Sequence, residues 1–256
     1  MFKIGSSRVH RILVLTRIKL SLGIYNSKLG FLNVLVAPLF FSLILFFVFS
    51  FIRNTSLSEE FFFYIYSGVI LVRFFVHTSI AISREFEQNL DALKTYPSSL
   101  LIYNISELLR QFVNYQISFW FLMFWSLLNL ENGFLLSVSL SLLPLILFPL
   151  ILLMGSIGAF LISLIPDFRQ IFPLIVNVAY YLTPVFYKLQ DVHFEVRQFW
   201  FFSPVTLVLE FQRFQMSLID RNLVEYKLVY FVTIMLAILL LPFVVPLSNY
   251  IKKRIL

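Results

Sequence analysis

The chain has 256 residues, of which 60% are hydrophobic, 18% aromatic and only 13% charged, and its mean hydropathy is +0.90. A soluble domain of this length carries about a quarter of charged residues. The net charge of +7 does not indicate a nucleic-acid-binding protein, because the basic residues flank apolar stretches. The chain has no cysteine, which excludes disulfides, thiolate nucleophiles and cysteine-ligated metals. The composition predicts a membrane protein.

Residues 1–30 are predicted to form a basic amphipathic segment at the cytoplasmic surface of the membrane. On a helix, the apolar and the basic residues fall on different arcs. The alternative is a basic segment that only fixes the topology. The apolar arc holds Val9, Leu13, Leu20 and Ile24, and the basic arc holds Arg8, Arg11 and Lys19.

Six later stretches are long and apolar enough to cross a bilayer, which takes about 20 residues. The predicted fold is an all-α polytopic membrane protein with one transmembrane domain over residues 1–256. The fourth stretch is too long for one upright span, and Pro144 and Pro149 predict a bend in it. The predicted spans are 31–52, 61–82, 112–130, 134–165, 171–187 and 228–251.

The distribution of lysine and arginine predicts the orientation. These residues are about twice as frequent in the flanks on the side of the termini as on the opposite side. Both termini are therefore expected in the cytoplasm, which agrees with an even number of spans. Residues 228–256 would form the last span and a basic cytoplasmic tail.

The cytoplasmic loop of residues 83–97 carries a helical pattern. Phe86, Leu90 and Leu93 form an apolar stripe, and Glu87 and Asp91 lie one turn apart on another face. Such a short helix needs packing to be stable. Two interpretations stay open: a docking helix for a cytoplasmic partner, or a stripe that packs on the chain's own spans.

Arg73 and His77 lie one turn apart inside the second predicted span. A charge at mid-membrane costs about 2.5 kcal/mol or more, so it should face water or protein. These residues could meet an anionic substrate, or backbone carbonyls and water could satisfy them at a subunit interface. Four aromatic residues near Pro184 are the best placed to line a path for sugars or lipids: Tyr180, Tyr181, Phe186 and Tyr187.

Residues 188–227 form neither a plain loop nor a span. Residues 199–211 are apolar but too short to cross, Pro204 interrupts them, and Glu210 lies among them. We expect a re-entrant pair of short helices at the outer side, with an interfacial aromatic belt as the alternative.

Motifs for catalysis are absent from the sequence. No glycine is followed by the Lys-Ser/Thr pair of a phosphate-binding loop, and His10, His77 and His193 do not have the spacing of a zinc site. We expect no enzyme activity and no metal or cofactor in this chain. An integral membrane enzyme or scaffold would need an intramembrane cluster of acids or metal ligands.

The order of these parts resembles the permease subunit of type-2 ABC exporters. Within that family the chain is most similar to the permeases that export O-antigen, capsular or teichoic polymers on a lipid carrier. The motifs that carry the resemblance are Tyr25-Asn-Ser-Lys-Leu-Gly-Phe-Leu with Pro38, residues 63–75 with Gly68, Arg84-Glu85, Leu90-Asp91 with Leu93, Tyr96-Pro97, Pro166-Asp167-Phe-Arg169, Thr183-Pro184-Val185-Phe-Tyr187, Ser203-Pro204 and Arg213.

The resemblance implies a homodimeric channel in the cytoplasmic (inner) membrane, with two cytoplasmic ATPase subunits that use ATP and Mg. The cargo would be a lipid-linked polysaccharide, and a small amphipathic drug or lipid is the alternative. Membrane lipids would surround the channel. The residues expected to couple to the ATPase are Arg84, Glu85, Phe86, Glu87, Leu90, Asp91 and Lys94, and those of the outer gate are Trp200, Phe201, Pro204, Glu210 and Arg213.

Overall fold

The structure, a computed structural model, describes residues 8–25, 31–53, 58–95, 99–129, 133–189, 192–193, 200, 203–219 and 242–251. In these ranges the chain is helical and has no strand. The elements are α1 (Arg8–Tyr25), α2 (Phe31–Arg53), α3 (Glu59–Gln88), α4 (Leu90–Thr95), α5 (Leu100–Asn129), α6 (Gly133–Ser141), a 3₁₀ turn (Leu143–Leu147), α7 (Phe148–Leu164), α8 (Phe168–Asn177), α9 (Ala179–Leu182), α10 (Pro204–Gln215) and helical residues 242–251.

Three helical stretches in the described part of the chain are long and apolar enough to cross a membrane. They are Leu32–Ile52, Glu59–Gln88 and Ser137–Leu164. They coincide with the first, second and fourth predicted spans. The first of them is only 22% buried and exposes large apolar side chains, as expected of a helix that faces lipid.

The other three predicted spans do not coincide with described helices that are long and apolar enough to cross a membrane. Residues 112–130 overlap the second half of α5, which begins at Leu100 and continues unbroken to Asn129. Residues 171–187 are divided between α8 and α9, and the helix ends at Leu182 instead of Tyr187. Most of residues 228–251 lies outside the described ranges, which begin again at residue 242. Spans three and six therefore stay predictions, and the fifth is not one continuous helix.

The long fourth apolar stretch changes helix type at its prolines. Pro144 lies in the first turn of the 3₁₀ turn and Pro149 in the first turn of α7. Proline has no N–H to donate within a helix, so it is tolerated at these starts and interrupts the α-helix before them. The helix type therefore changes at the positions where the sequence predicts a bend.

Helix α3 lies at the centre of the bundle. Ser58 caps it, since its Oγ accepts a hydrogen bond from the N–H of Phe61 at 3.3 Å, and Glu59 and Glu60 are in the first turn, where the helix dipole favours acids. The helix packs against α2, α5, α7 and α10. The apolar residues that it buries form the core of the chain.

Close packing of α3 on α7 depends on Gly155. A Cβ atom at Gly155 would lie 2.5 Å from Cγ2 of Ile82 and 3.1 Å from the carbonyl oxygen of Ser79. We expect Gly155→Ala to lower the free energy of unfolding by about 1–3 kcal/mol, because the two helices must move apart. Thermal unfolding in detergent measures this. Gly23→Ala is the matched control, since nothing lies within 4 Å of a Cβ there.

Candidate functional site

Arg73 and His77 line two neighbouring cavities. Both residues lie on α3, and each borders a cavity of about 390 Å³ and another of about 560 Å³. These volumes are in the range of small-molecule sites. The sequence placed both residues in a substrate pathway, and the structure places them at the meeting point of two cavities.

The smaller cavity lies between α1, α2, α3 and α5, and eight of its 15 lining residues carry a polar side chain, next to apolar ones. We call it the polar cavity. Asn33 is contributed by α2, and α5 contributes Arg110 and Asn114. The remaining lining includes Leu20, Gly23, Val34, Ile70, Phe74, Gln111, Val113, Tyr115, Ile117 and Ser118. A cavity with this lining can hold an anionic or strongly hydrogen-bonding group.

The larger cavity is aromatic and lies between α2, α3 and the α8–α9 segment. We call it the aromatic cavity. Three of the four aromatic residues predicted to line a pathway, Tyr180, Tyr181 and Phe186, meet Arg73 and His77 here. The rings of Phe49 and Phe186 stack with their centroids 5.2 Å apart. The rest of the lining is Phe41, Leu45 and Asn177.

Tyr187, the fourth predicted pathway residue, does not line either cavity. Its hydroxyl accepts a hydrogen bond from Nε1 of Trp200 at 2.8 Å, and its backbone carbonyl accepts one from the hydroxyl of Tyr64 at 2.7 Å. Trp200 was predicted in the outer gate, so the structure joins one pathway residue to one gate residue. Phe201 lies outside the described residues.

Glu210 and Arg213, which the sequence placed in the outer gate, are buried in α10. Arg213 is fully buried, and its Nη1 lies 3.2 Å from Oε1 of Glu210 and 2.6 Å from the carbonyl oxygen of Pro184. The guanidinium also lies 3.6 Å from the ring centroid of Tyr64. Pro204 is the first residue of α10. It follows the capping residue Ser203, whose Oγ accepts a hydrogen bond from the N–H of Thr206. These contacts fasten α10 to α3 and to the turn that follows α9.

The predicted coupling residues divide into a buried and an exposed group at the α3–α4 junction (residues 84–95). Phe86 and Leu93 are buried in a second apolar cluster, so the predicted apolar stripe packs within the chain. Leu90 is half-buried, and Asp91 and Lys94 are exposed. Glu87 and Asp91 do not share one helix, because α3 ends at Gln88 and α4 begins at Leu90.

Glu85 and Glu87, two of the predicted coupling residues, form ion pairs within the chain. Glu85 is 1% exposed, and its Oε1 lies 2.7 Å from Nζ of Lys19. Glu87 forms an ion pair with Arg169, and this carboxylate raises the pKa of Arg169. Arg84 also donates to the carbonyl oxygen of Arg169 at 3.2 Å. Glu85 is therefore inaccessible to a partner, and Glu87 already has one within the chain.

A buried ionic network between α1, α3 and α5 was not predicted from the sequence. Lys19 bridges Glu85 and Glu107, and Nε of Arg110 donates to Oε2 of Glu107 at 2.9 Å. The network holds two acids and two bases. The sequence signal that could have indicated this network is a series of polar residues three and four positions apart in α5: Glu107, Arg110, Gln111 and Asn114.

Comparison with protein-family models and with curated proteins gives no match for this chain. The resemblance to exporter permeases thus depends on the sequence motifs alone. Within the described residues, no three His, Cys, Asp or Glu side chains come together as a metal site requires.

Proposed function

We propose that this chain is the transmembrane subunit of an ATP-driven exporter, and that two copies form a channel for a lipid-linked polysaccharide. Two cytoplasmic ATPase subunits would dock beneath the channel and bind ATP and Mg. The chain would lie in the cytoplasmic (inner) membrane with both termini inside. The α3–α4 junction is the observation that carries this proposal.

The junction has the properties that a coupling element needs. Asp91 and Lys94 present charges of both signs on the outside of α4. On its other side, α4 is held by Leu93, which packs in the same cluster as Phe86 of α3. A force on the exposed face would therefore reach α3, the central helix of the bundle, through packed side chains.

The cavities support an amphipathic cargo. Arg73 offers a positive charge next to six apolar and aromatic side chains of the aromatic cavity. This combination suits a lipid carrier with an anionic group, and it also suits a small amphipathic drug or lipid, which is the second candidate. A deletion strain separates the two: loss of surface polymer supports the first, whereas intact polymer with new sensitivity to amphiphiles supports the second.

Reversing the charge of Asp91 is expected to weaken ATPase docking about tenfold or more, since like charges then face each other at the contact. The fold should remain, because the Asp91 side chain is exposed. The measurement is ATP hydrolysis by the complex that co-purifies with Asp91→Arg from its own host. Glu59→Arg, at the other end of α3, is the matched control. Full ATPase recovery with Asp91→Arg contradicts a docking role for α4.

Reversal of Glu87 needs a different design, because Glu87 pairs with Arg169. Glu87→Arg alone places two guanidinium groups side by side. The exchanged pair, Glu87→Arg with Arg169→Glu, restores the internal contact. We expect the exchanged pair to recover ATPase binding. If only the single reversal lost binding, Glu87 would position α3; if both lost it, Glu87 would itself contact the ATPase.

A further inference from the structure

We propose that Arg84 and Glu87 of α3 form a clasp on Arg169 of α8, and that this clasp sets the position of the α8–α9 segment (residues 168–182). A displacement of the α3–α4 junction would then reach the far end of the segment, which lines the aromatic cavity. Arg169 is thus a positioning residue. The inference deepens the proposed function and rests on it for the ATPase as the source of the displacement. The link between the clasp and the segment belongs to this chain alone.

The clasp holds Arg169 by its side chain and by its backbone. Arg84 and Glu87 lie three positions apart near the end of α3, so they share one face of that helix. The guanidinium of Arg169 pairs with the carboxylate of Glu87. Nη2 of Arg84 donates to the carbonyl oxygen of Arg169 at 3.2 Å. Because the two contacts take different parts of one residue, α8 cannot rotate or slide at this point without breaking one of them.

Pro173 explains why the carbonyl oxygen of Arg169 is available to α3. In an α-helix, the carbonyl oxygen of a residue accepts a hydrogen bond from the N–H four residues later. Position 173, four residues after Arg169, is a proline inside α8, and proline has no N–H. The donor that residue 173 does not provide is supplied by Arg84. The sequence of α8 thus contains an attachment point for a second helix.

Apart from the clasp, few side chains hold the α8–α9 segment. In α8 only Phe172 and Val176 are buried, and α9 buries no residue. Among the residues that the structure describes, Arg169 is the only one in the segment whose side chain forms a hydrogen bond or an ion pair. A segment with so few buried contacts changes position at a low cost in free energy. The clasp therefore determines where the segment lies.

Phe172 gives the segment a pivot on α7. A Cβ atom at Gly158 would lie 2.5 Å from Cζ of Phe172, so the ring packs directly on the backbone of α7. Arg169 lies three residues before this contact, and Asn177, which lines the aromatic cavity, lies five residues after it. At 1.5 Å per residue, the two arms are about 5 and 8 Å long. A displacement at the clasp is therefore passed to the cavity wall at a similar magnitude and in the opposite direction.

The far end of the segment forms one wall of the aromatic cavity. Asn177, Tyr180 and Tyr181 line this wall, and residues of α2 and α3 line the others. The ring of Tyr180 meets the ring of Phe41 of α2 edge-on, with the centroids 6.2 Å apart. Movement of α9 away from α2 would separate these rings and widen the cavity. The clasp thus connects the shape of the cavity to the position of the α3–α4 junction.

A distance between two spin labels tests the clasp. The chain has no cysteine, so introduced cysteines carry the labels at defined sites. Leu182→Cys labels the end of α9 and Leu128→Cys labels α5 as the reference, and both side chains are exposed. Pulsed electron paramagnetic resonance measures the distance in the purified full chain. The variants are Arg169→Gln, the exchanged pair Glu87→Arg with Arg169→Glu, and Arg17→Gln as the matched control on the exposed side of α1.

In the chain alone, Arg169→Gln should broaden the distribution of distances by about 2 Å or more, because α8 is released from α3. The exchanged pair and Arg17→Gln should keep the original width. The fold should remain, since an ion pair as exposed as that of Arg169 and Glu87 contributes little to stability, and thermal unfolding checks this. An unchanged width in Arg169→Gln overturns the proposal.

The complex with the co-purified ATPase tests the transmission. A non-hydrolysable ATP analogue with Mg should shift the mean distance by about 2 Å in the unchanged chain, and Arg169→Gln should lose this shift in samples that contain the ATPase. A shift of the same size in Arg169→Gln overturns the proposal and leaves the exporter assignment intact. If no ATPase co-purifies, the exporter assignment fails, whereas the width measured on the chain alone still decides the clasp.

Discussion

Arg213→Met is expected to lower the free energy of unfolding by about 3–5 kcal/mol, because it removes one partner of a buried ion pair. The variant leaves Glu210, which is 3% exposed, without its counter-charge. It also removes the Arg213 donors of the carbonyl oxygens of Pro184 and Val185, which lie 2.6 and 3.3 Å away. The Tyr64 carbonyl oxygen loses the Arg213 donor at 2.9 Å and keeps the Ser67 hydroxyl at 2.8 Å. Buried acceptors without donors destabilise a fold further.

The position of Arg213 explains why the loss should be so large. A Cβ atom at Gly68 would lie 2.7 Å from Nη2 of Arg213, so the guanidinium packs directly on the backbone of α3. Its contacts join α10, α3 and the turn after α9 at one point. Without them, the three elements lose their common hydrogen-bond donor.

Unfolding of the detergent-solubilised chain by heat and by denaturant measures the effect. Arg17→Met is the matched control, since Arg17 is exposed on α1. The double variant Glu210→Met with Arg213→Met should be more stable than Arg213→Met alone, because no charge then remains buried. If Arg213→Met were as stable as the unchanged protein, the contacts assigned to Arg213 would be wrong.

The spans that could be predicted from the sequence are those whose apolar residues continue for the full length of a helix. Residues 31–52 and 61–82 are of this kind, and both correspond to helices long and apolar enough to span. The predicted span 112–130 covers only the second half of α5, which begins at Leu100, because the charged residues Glu107 and Arg110 interrupt the apolar stretch before residue 112. Within the helix Glu107 is buried and Arg110 is half-buried. The two residues pair with each other, and Glu107 also pairs with Lys19, which lies 88 residues away in the sequence.

The sequence predicted residues of the candidate site only where a single residue differed in polarity from its neighbours in the chain. Arg73 and His77 were identified because a charge in an apolar stretch is expensive. The role of Glu87 could not be read in this way, since its partner Arg169 lies 82 residues further along the chain. Similarly, Tyr187 was grouped with Phe186 by sequence, but its hydroxyl turns to Trp200, which only the fold brings near.

Lys19→Met is expected to have the second large effect, a loss of about 3–5 kcal/mol in the free energy of unfolding. Lys19 lies between two buried carboxylates, with its Nζ 2.7 Å from Glu85 and 3.4 Å from Glu107. Without it, only Arg110 remains to balance two acids. The change should weaken the attachment of α1 to α5, because Nζ of Lys19 also donates to the carbonyl oxygen of Tyr103 at 3.4 Å. The hydrogen bond from Thr16 to the carbonyl oxygen of Ser106 remains, but it is long, at 3.3 Å.

Release of α1 also tests how the helix is attached. The sequence placed Lys19 on the basic arc of α1, and in the structure this residue faces the bundle, while Val9 and Leu13 of the apolar arc are 65% and 57% exposed. Apolar residues on the outer face suit contact with lipid. The ionic network holds the opposite side of α1 to the chain, together with Leu15, which packs against the second apolar cluster.

Limited proteolysis within residues 8–25, together with thermal unfolding, measures the release. Lys19→Met with Glu85→Gln restores equal numbers of acids and bases in the network, and it should recover much of the lost stability. Arg17→Met keeps the network and should protect α1 as the unchanged chain does. Because Glu85 is in the last turn of α3, directly before α4, Lys19→Met should also weaken ATP hydrolysis by the co-purified complex. If Lys19→Met released α1 and left that hydrolysis unchanged, α1 would be an anchor that has no part in coupling.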